Sequence, residues 1–290
     1  MRYHKVASFE EASGIAAAAS GITRFLAGGT DVLVQMRAGV VQPDDLIDLK
    51  GIDDVERIEQ IAGGGWRIGI AVPGSVLGAH EALKADWPGV IEGMELVGST
   101  QVQGRATLTG NLCNGSPAAD SVPGLIAAAA RAEITGPDGK REMAVEDIPA
   151  APGRTCLAKG DVISALLLPA SGPHSGDAYL RFIPRTEMDI AVVGCAVSLT
   201  LEGDKVTKAR VVLGAVAPTP IMVPEAAKAL IGNSLNDATL QDLARAVRAA
   251  ASPISDKRGT AEFRTEVVGV LAERATRIAY SRAQAKGNKS

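Results

Sequence analysis

The segment from Arg105 to Asp120, RATLTGNLCNGSPAAD, is small and polar in the middle of a chain that is 46% hydrophobic. Its residues offer main-chain amides with little side-chain bulk, and Gly110 permits a positive φ and close approach of a ligand to the main chain. Hydroxyl side chains add donors, and the carboxylate of Asp120 adds an acceptor. This order suits a ligand with both phosphate and hydroxyl groups. The same composition is also typical of an ordinary loop, and composition alone leaves both interpretations open.

A second segment of the same kind lies near the N-terminus. Thr23–Ala27 is predicted to be a short strand, Gly28-Gly29 a tight turn, and Thr30–Ala38 a helix capped by its first polar residues. Because free amides and the helix dipole attract anions at a helix start, this turn is a second candidate for holding phosphate. It is not the G-x-G-x-x-G dinucleotide motif, since the glycine spacing differs and no matching acidic residue follows a second strand.

The overall composition excludes several classes of protein. With 290 residues, the chain is long for a single core, so two or three compact units are expected. The net charge of −3 and an aromatic content of 3% argue against a nucleic-acid-binding surface. The N-terminus lacks the apolar core of a signal peptide, and the alanine run at 16–19 is too short to span a membrane. A cytoplasmic protein without a membrane span is therefore expected.

The cysteines and histidines are few and scattered. They are Cys113, Cys156 and Cys195, and His4, His80 and His174. No pair has metal-ligand spacing, so zinc or iron–sulfur ligation within this chain is not expected. The odd cysteine count argues against a disulfide framework. Each histidine is expected to be a surface or packing residue, and the sequence provides no catalytic triad.

The remaining pattern predicts helices and strands on both sides of a boundary. Ser75–Lys84 is predicted to be one helix, and Asp161–Leu168 an apolar strand. A Pro/Gly/Ser-rich run at Pro169–Gly176 then marks a domain boundary. Beyond it, three strands followed by helices, the last over Ala261–Lys286, indicate an α+β domain.

Six motifs, in this order, resemble a known family. They are Leu26–Asp31, Thr107–Asn111, Ser116–Asp120, Met188–Ala191, Gly214–Pro220 and Arg258–Arg264. The chain is similar across nearly its whole length to the FAD-binding (medium) subunit of molybdenum hydroxylases of the carbon monoxide dehydrogenase and xanthine dehydrogenase type.

The resemblance implies a fold and a domain division. The class is α+β, with an FAD-binding fold of the vanillyl-alcohol-oxidase type over residues 1–170. That domain would contain two α/β subdomains, at about 1–55 and 56–170. An α+β C-terminal domain of the CO dehydrogenase flavoprotein type would follow over residues 177–290.

The resemblance also implies the residues that contact FAD. Those of the first turn are Leu26, Ala27, Gly28, Gly29, Thr30, Asp31 and Val32, and those of the central segment are Ala106, Thr107, Thr109, Gly110, Asn111, Asn114, Ala119 and Asp120. Ile163 would pack near the adenine or its ribose, and Arg181 and Asp189 would border the isoalloxazine. Relatives often carry glycine where this chain has Thr109, so an ordinary α or β backbone is expected there. Neither turn contains histidine, so FAD would be bound non-covalently.

The function implied is that of an electron-transfer subunit. Molybdopterin would lie on a large partner subunit and two [2Fe–2S] clusters on a small one, in a dimer of heterotrimers that passes electrons to an external acceptor. Two alternatives stay open: a self-contained flavin oxidoreductase acting directly on a small molecule, and a non-catalytic nucleotide-binding module. The charges of Arg258–Arg264 are expected to cap and solvate the last helix rather than bind a partner.

Overall fold

A computed structural model describes residues 1–287 of the protein, and residues 288–290 lie outside it. The chain begins with β1 (Arg2–Lys5), α1 (Phe9–Ala18), β2 (Thr23–Leu26), α2 (Val32–Arg37) and β3 (Asp45–Asp48). The strands form a parallel sheet in the order β1-β3-β2. All four residues of the central β3 are buried, as expected for a parallel strand covered on both faces. Ser8 caps α1, where its side chain accepts a hydrogen bond from the Glu11 amide.

The next unit is an antiparallel sheet with a group of short helices. Its elements are β4 (Ile58–Gln60), β5 (Trp66–Gly69), α3 (Gly74–Ala79), α4 (Glu81–Asp86), α5 (Pro88–Glu95), α6 (Thr100–Gln103), α7 (Leu108–Cys113), α8 (Ser121–Ala127), β6 (Arg131–Gly136), β7 (Gly139–Ala144), β8 (Pro149–Ala151), β9 (Arg154–Thr155) and β10 (Val162–Leu168). Five strands pair in the order β4-β5-β10-β6-β7, and β8 and β9 form a separate hairpin. The apolar β10 is the middle strand of the five.

The C-terminal part is a second antiparallel sheet covered by helices. It comprises β11 (Ser175–Phe182), β12 (Val193–Glu202), β13 (Lys205–Gly214), β14 (Ile221–Met222), α9 (Pro224–Leu230), α10 (Asp237–Ala250) and α11 (Ala261–Gly287). The strands pair in sequence order, and α11 packs along β11 and β12. This agrees with the sheet followed by helices predicted from the sequence.

Two hydrophobic clusters fill the interior of the described chain. The first joins both N-terminal sheets and includes Ile47, Ile134 and Leu166. The second lies between the C-terminal sheet and its helices. Tyr179 and Val212 of the C-terminal sheet belong to the first cluster, so the two parts share packed apolar surface.

Two predictions about secondary structure are wrong. The single helix expected over Ser75–Lys84 is two helices, because the Nδ1 atom of His80 accepts a hydrogen bond from the Leu83 amide and starts a new helix. The central segment is not an irregular loop, since α7 lies inside it. None of the helices in residues 1–287 is both long and apolar enough to cross a membrane.

Candidate functional site

The first glycine turn is pressed against the start of the central segment. A Cβ atom added to Gly28 would lie 1.9 Å from the carbonyl oxygen of Arg105. Only a residue without a side chain fits this contact. Gly29 has φ +79°, a left-handed conformation that favours glycine and turns the chain from β2 into α2. The two segments that the sequence singled out separately are therefore in main-chain contact.

The central segment presents the start of a short helix. Thr107 has an extended backbone, and its Oγ1 atom accepts from the Gly110 amide at 2.9 Å, so Thr107 caps α7. Thr109 is helical, which confirms the expectation of an ordinary backbone there. The positive φ that Gly110 permits is not used, because Gly110 lies within α7, and it is Gly115 that has φ +65°.

Several amides at these two turns donate to no acceptor among residues 1–287. They belong to Gly28, Gly29, Thr30, Asp31, Thr107, Leu108 and Thr109. Unpaired amides at helix starts are ready donors for an anion. A diphosphate offers acceptor oxygens to both turns at once, so the donor set fits the diphosphate of a dinucleotide.

Side chains also connect the two segments. The Nε2 atom of Gln35 donates to the Oδ1 atom of Asn114 at 3.2 Å, and the Nδ2 atom of Asn114 donates to the Oδ1 atom of Asp31 at 3.3 Å. Desolvation raises the pKa of Asp31. Asn111 faces the other way, and its Oδ1 atom accepts from the Ser121 hydroxyl at 2.7 Å at the start of α8.

Asp120 and Arg181 lie together in a buried cluster. The Nη1 atom of Arg181 donates to the Oδ2 atom of Asp120 at 2.6 Å, and the Tyr179 hydroxyl donates to the Oδ1 atom at 2.8 Å. Burial raises the pKa of Asp120 to about 6, although Arg181 and Tyr179 act in the opposite direction. Arg181 also donates to the carbonyl of Leu96 at 2.9 Å. The cluster therefore joins the C-terminal sheet to α8 and to the end of α5.

Tyr179 was missed by the sequence analysis. It lies two residues before Arg181 on β11, and alternate residues of a strand share a face. The two-residue spacing from Arg181 could therefore have identified Tyr179 as a residue on the same face of the strand.

The Met188–Ala191 and Arg258–Arg264 motifs also meet, because Arg258 pairs with Asp189 at 3.8 Å. Met188 has φ +57°, and the carboxylate of Asp189 accepts from Arg185 at 2.8 Å. Arg264 is only 4% exposed, and it donates to the carbonyl of Val192 at 2.8 Å and to Asp256 at 2.6 Å. The expectation that these charges solvate the last helix is wrong for Arg264, which is buried and links α11 to Val192 and Asp256.

The other expected contact residues lie in or beside the core. Ala106 and Ala119 are each 3% exposed, and Leu26 is buried at the end of β2. Val32 is half-buried in α2. Ile163 lies in the first core cluster and opposite Ile134 in the sheet.

Comparison with protein families gives matches over both parts of the chain. The model of the FAD binding domain in molybdopterin dehydrogenase matches residues 1–171. The model of the CO dehydrogenase flavoprotein C-terminal domain matches residues 178–279.

Curated relatives match over nearly full length. The carbon monoxide dehydrogenase medium chain of Afipia carboxidovorans is 32% identical, over 97% of this chain and 97% of its own length. The putative xanthine dehydrogenase FAD-binding subunit of Escherichia coli K12 is 27% identical, over 98% of this chain and 97% of its own.

Solved structures share the fold. Carbon monoxide dehydrogenase from Hydrogenophaga pseudoflava superposes with a TM-score of 0.93 at 29% identity, covering 97% of this chain and 98% of that chain. Quinoline 2-oxidoreductase from Pseudomonas putida 86, with a TM-score of 0.88 at 23% identity, shows the same fold. The family resemblance and the fold class are confirmed. The chain belongs to the family of FAD-binding subunits of molybdopterin dehydrogenases, and it is an oxidoreductase subunit that binds FAD.

Proposed function

We propose that this chain is the flavin-carrying relay of a cytoplasmic, multi-subunit molybdenum hydroxylase. Bound FAD accepts electrons singly and releases them in pairs, which suits a step between [2Fe–2S] clusters and a two-electron acceptor. The main support is the contact between Gly28 and Arg105, which brings two sets of unpaired amides to one place. The curated relatives are themselves named as a medium chain and as an FAD-binding subunit.

In this proposal the two turns hold the FAD diphosphate. The amides from Gly28 to Asp31 would donate to one side and those from Thr107 to Thr109 to the other. Neither turn contains histidine, the residue through which some proteins of this fold attach flavin, so these residues would hold FAD without a covalent bond. Charge-assisted hydrogen bonds of this kind contribute about 1.5–3 kcal/mol each.

The other residues take supporting roles. Asn114 and Asp120 lie at the C-terminal side of the central segment, where hydroxyl groups of FAD would follow the diphosphate. Each oxygen of Asp120 already accepts one hydrogen bond and keeps a second lone pair for such a hydroxyl. Arg181 lowers the pKa of that carboxyl, against the larger opposite effect of burial, and Ile163 would offer apolar surface to the adenine end.

We also propose the division into an FAD-binding domain over 1–170 and a C-terminal domain over 177–290. The two hydrophobic clusters support this division. Because the isoalloxazine would lie at the junction, the Arg181–Asp120 contact between the domains would border it.

The partners would be a molybdopterin-binding large subunit and a small subunit with two [2Fe–2S] clusters, arranged as a dimer of heterotrimers. This chain has three cysteines, widely separated in sequence, which supports placing the clusters on another chain.

The test is substrate-driven flavin reduction in the assembled enzyme and in the isolated chain. The holo-chain and the co-expressed complex would each be mixed anaerobically with the large subunit's substrate while flavin absorbance is followed. We expect bleaching only in the complex, and acid should release the flavin from either sample. Bleaching of the isolated chain by the substrate would instead favour a self-contained oxidoreductase.

A further inference from the structure

Three side chains form a polar bridge between α2 and the end of α7. Gln35 donates to Asn114, and Asn114 donates to Asp31. The side-chain amide of Asn114 is therefore held between Gln35 of α2 and Asp31, the residue that precedes α2. Gln35 and Asn114 are 79 residues apart in sequence. We call these three residues the amide bridge.

The chemistry of the bridge fixes its direction. An ionised carboxylate only accepts hydrogen bonds, so the atom of Asn114 that faces Asp31 must be its NH₂ group. The carbonyl oxygen of Asn114 then faces Gln35, which must present its own NH₂ group. Asp31 therefore sets the orientation of both amides, and only one arrangement satisfies all three side chains.

The position of α2 depends on this bridge because the helix has little else to hold it. None of the residues in Val32–Arg37 is buried, so core packing contributes little to its placement. The first turn is held at one end by the contact between Gly28 and Arg105, just before α7. The amide bridge holds the other end against Asn114, the residue that closes α7.

We propose that Gln35 is a positioning residue for the flavin site. It orients the Asn114 amide and, with Asp31, sets the spacing between the two turns that would grip the diphosphate. The inference rests on the proposed placement of FAD between those turns. Gln35 donates to Asn114, and its effect on FAD affinity would pass through that residue.

The test reverses the polarity of the bridge. Gln35→Glu replaces the donor facing Asn114 with an acceptor, so the Asn114 amide must turn and its oxygen then faces the Asp31 carboxylate. Adding Asp31→Asn supplies a donor at that end, so all three side chains are satisfied in the opposite direction. The double variant also keeps the net charge of the wild type, which removes a general electrostatic explanation.

FAD affinity would be measured by fluorescence titration of flavin-free protein, with folding checked by circular dichroism. Because one neutral hydrogen bond is worth about 1 kcal/mol, Gln35→Glu and Gln35→Leu should each weaken binding about five- to tenfold. The double variant should bind FAD more tightly than Gln35→Glu alone, because Asp31→Asn restores the hydrogen bonds of the bridge and keeps the main-chain amide through which Asp31 would contact the diphosphate. Gln60→Glu, which adds the same charge on the exposed end of β4, is the control and should bind normally.

The outcomes separate two failures. If both Gln35 variants bind FAD as the wild type does while Asn114→Ala weakens binding, the positioning role is wrong and the FAD placement stands. If Asn114→Ala also leaves the affinity unchanged, the placement itself is wrong and the positioning role goes with it. A double variant as weak as Gln35→Glu would overturn the fixed direction of the bridge.

Discussion

Replacing Gly28 by alanine should separate the two turns of the flavin site. The added Cβ would lie 1.9 Å from the Arg105 carbonyl oxygen, whereas real Cβ contacts are essentially never under 3.0 Å. One main chain must therefore move by about 1 Å relative to the other. An amide–phosphate hydrogen bond of about 2.9 Å would lengthen to nearly 4 Å, beyond the useful range. Losing one such bond costs about 1.5–3 kcal/mol, which is a ten- to hundredfold loss of FAD affinity.

The assay is the dissociation constant of FAD, measured by fluorescence titration of the flavin-free protein. Gly14→Ala is the matched control, because Gly14 lies within α1 and an added Cβ would meet nothing within 4 Å. That variant should gain up to about 1 kcal/mol in stability and bind FAD normally. A folded Gly28→Ala protein with wild-type affinity would refute the reasoning that the two turns grip one ligand.

Three further predictions concern buried charge. Asp177→Asn should stabilise the protein increasingly as pH rises from 4 to 7. Burial raises the pKa of Asp177 from 3.8 to about 7, so the folded wild type keeps a proton that the unfolded chain loses as pH rises. At 1.36 kcal/mol per pKa unit, Asp177→Asn should therefore be more stable than the wild type by up to about 4 kcal/mol at pH 8. Asp120→Asn should destabilise the fold by about 3 kcal/mol, since it leaves the buried charge of Arg181 unpaired, and adding Arg181→Met should recover at least half. Arg264→Met should cost about 3 kcal/mol, whereas Arg245→Met, at a 77% exposed side chain, should cost under about 0.5 kcal/mol.

Urea unfolding checks all three predictions, and for Asp177→Asn the variant and the wild type are compared at pH 5 and at pH 8. Equal effects of Asp177→Asn at the two pH values would show that this carboxyl titrates normally. An additive loss in the Asp120 and Arg181 double variant would show that the two side chains do not act as a pair. Similar losses of unfolding free energy in the Arg264 and Arg245 variants would contradict the role of Arg264 as a buried link between α11 and Val192.

The local parts of the site were predictable from the sequence. Glycines after an apolar run, followed by a helical pattern, predicted the turn at Gly28-Gly29 and the start of α2. The motif from Thr107 to Asn111 identified the second turn, although its small residues predicted a loop and not α7. The error arose because Gly110 and Asn111 have weak helix propensity, while the cap supplied by Thr107 and the burial of Leu112 stabilise the helix.

The long-range parts were not predictable, because they depend on which segments the fold brings together. No local pattern indicates that Gly28 contacts a carbonyl 77 positions later, or that Gln35 faces Asn114. Arg264 showed the same limit. A charge at a helix start is usually solvated, and only the packing of α11 against Val192 shows that this one is buried.

The last helix also has a consequence for how the protein is made. α11 has 27 residues and is about 40 Å long, and near its end Arg282 pairs with Glu92 and Lys286 donates to Asp86. These partners lie about 200 residues apart, so the contacts of α11 with α4 and α5 form only after nearly the whole polypeptide has been synthesised. Domains otherwise fold as they emerge, N-terminal first. A nascent protein stalled short of α11 would therefore keep the Arg181–Asp120 contact but leave the surface around Asp86 and Glu92 exposed to chaperones.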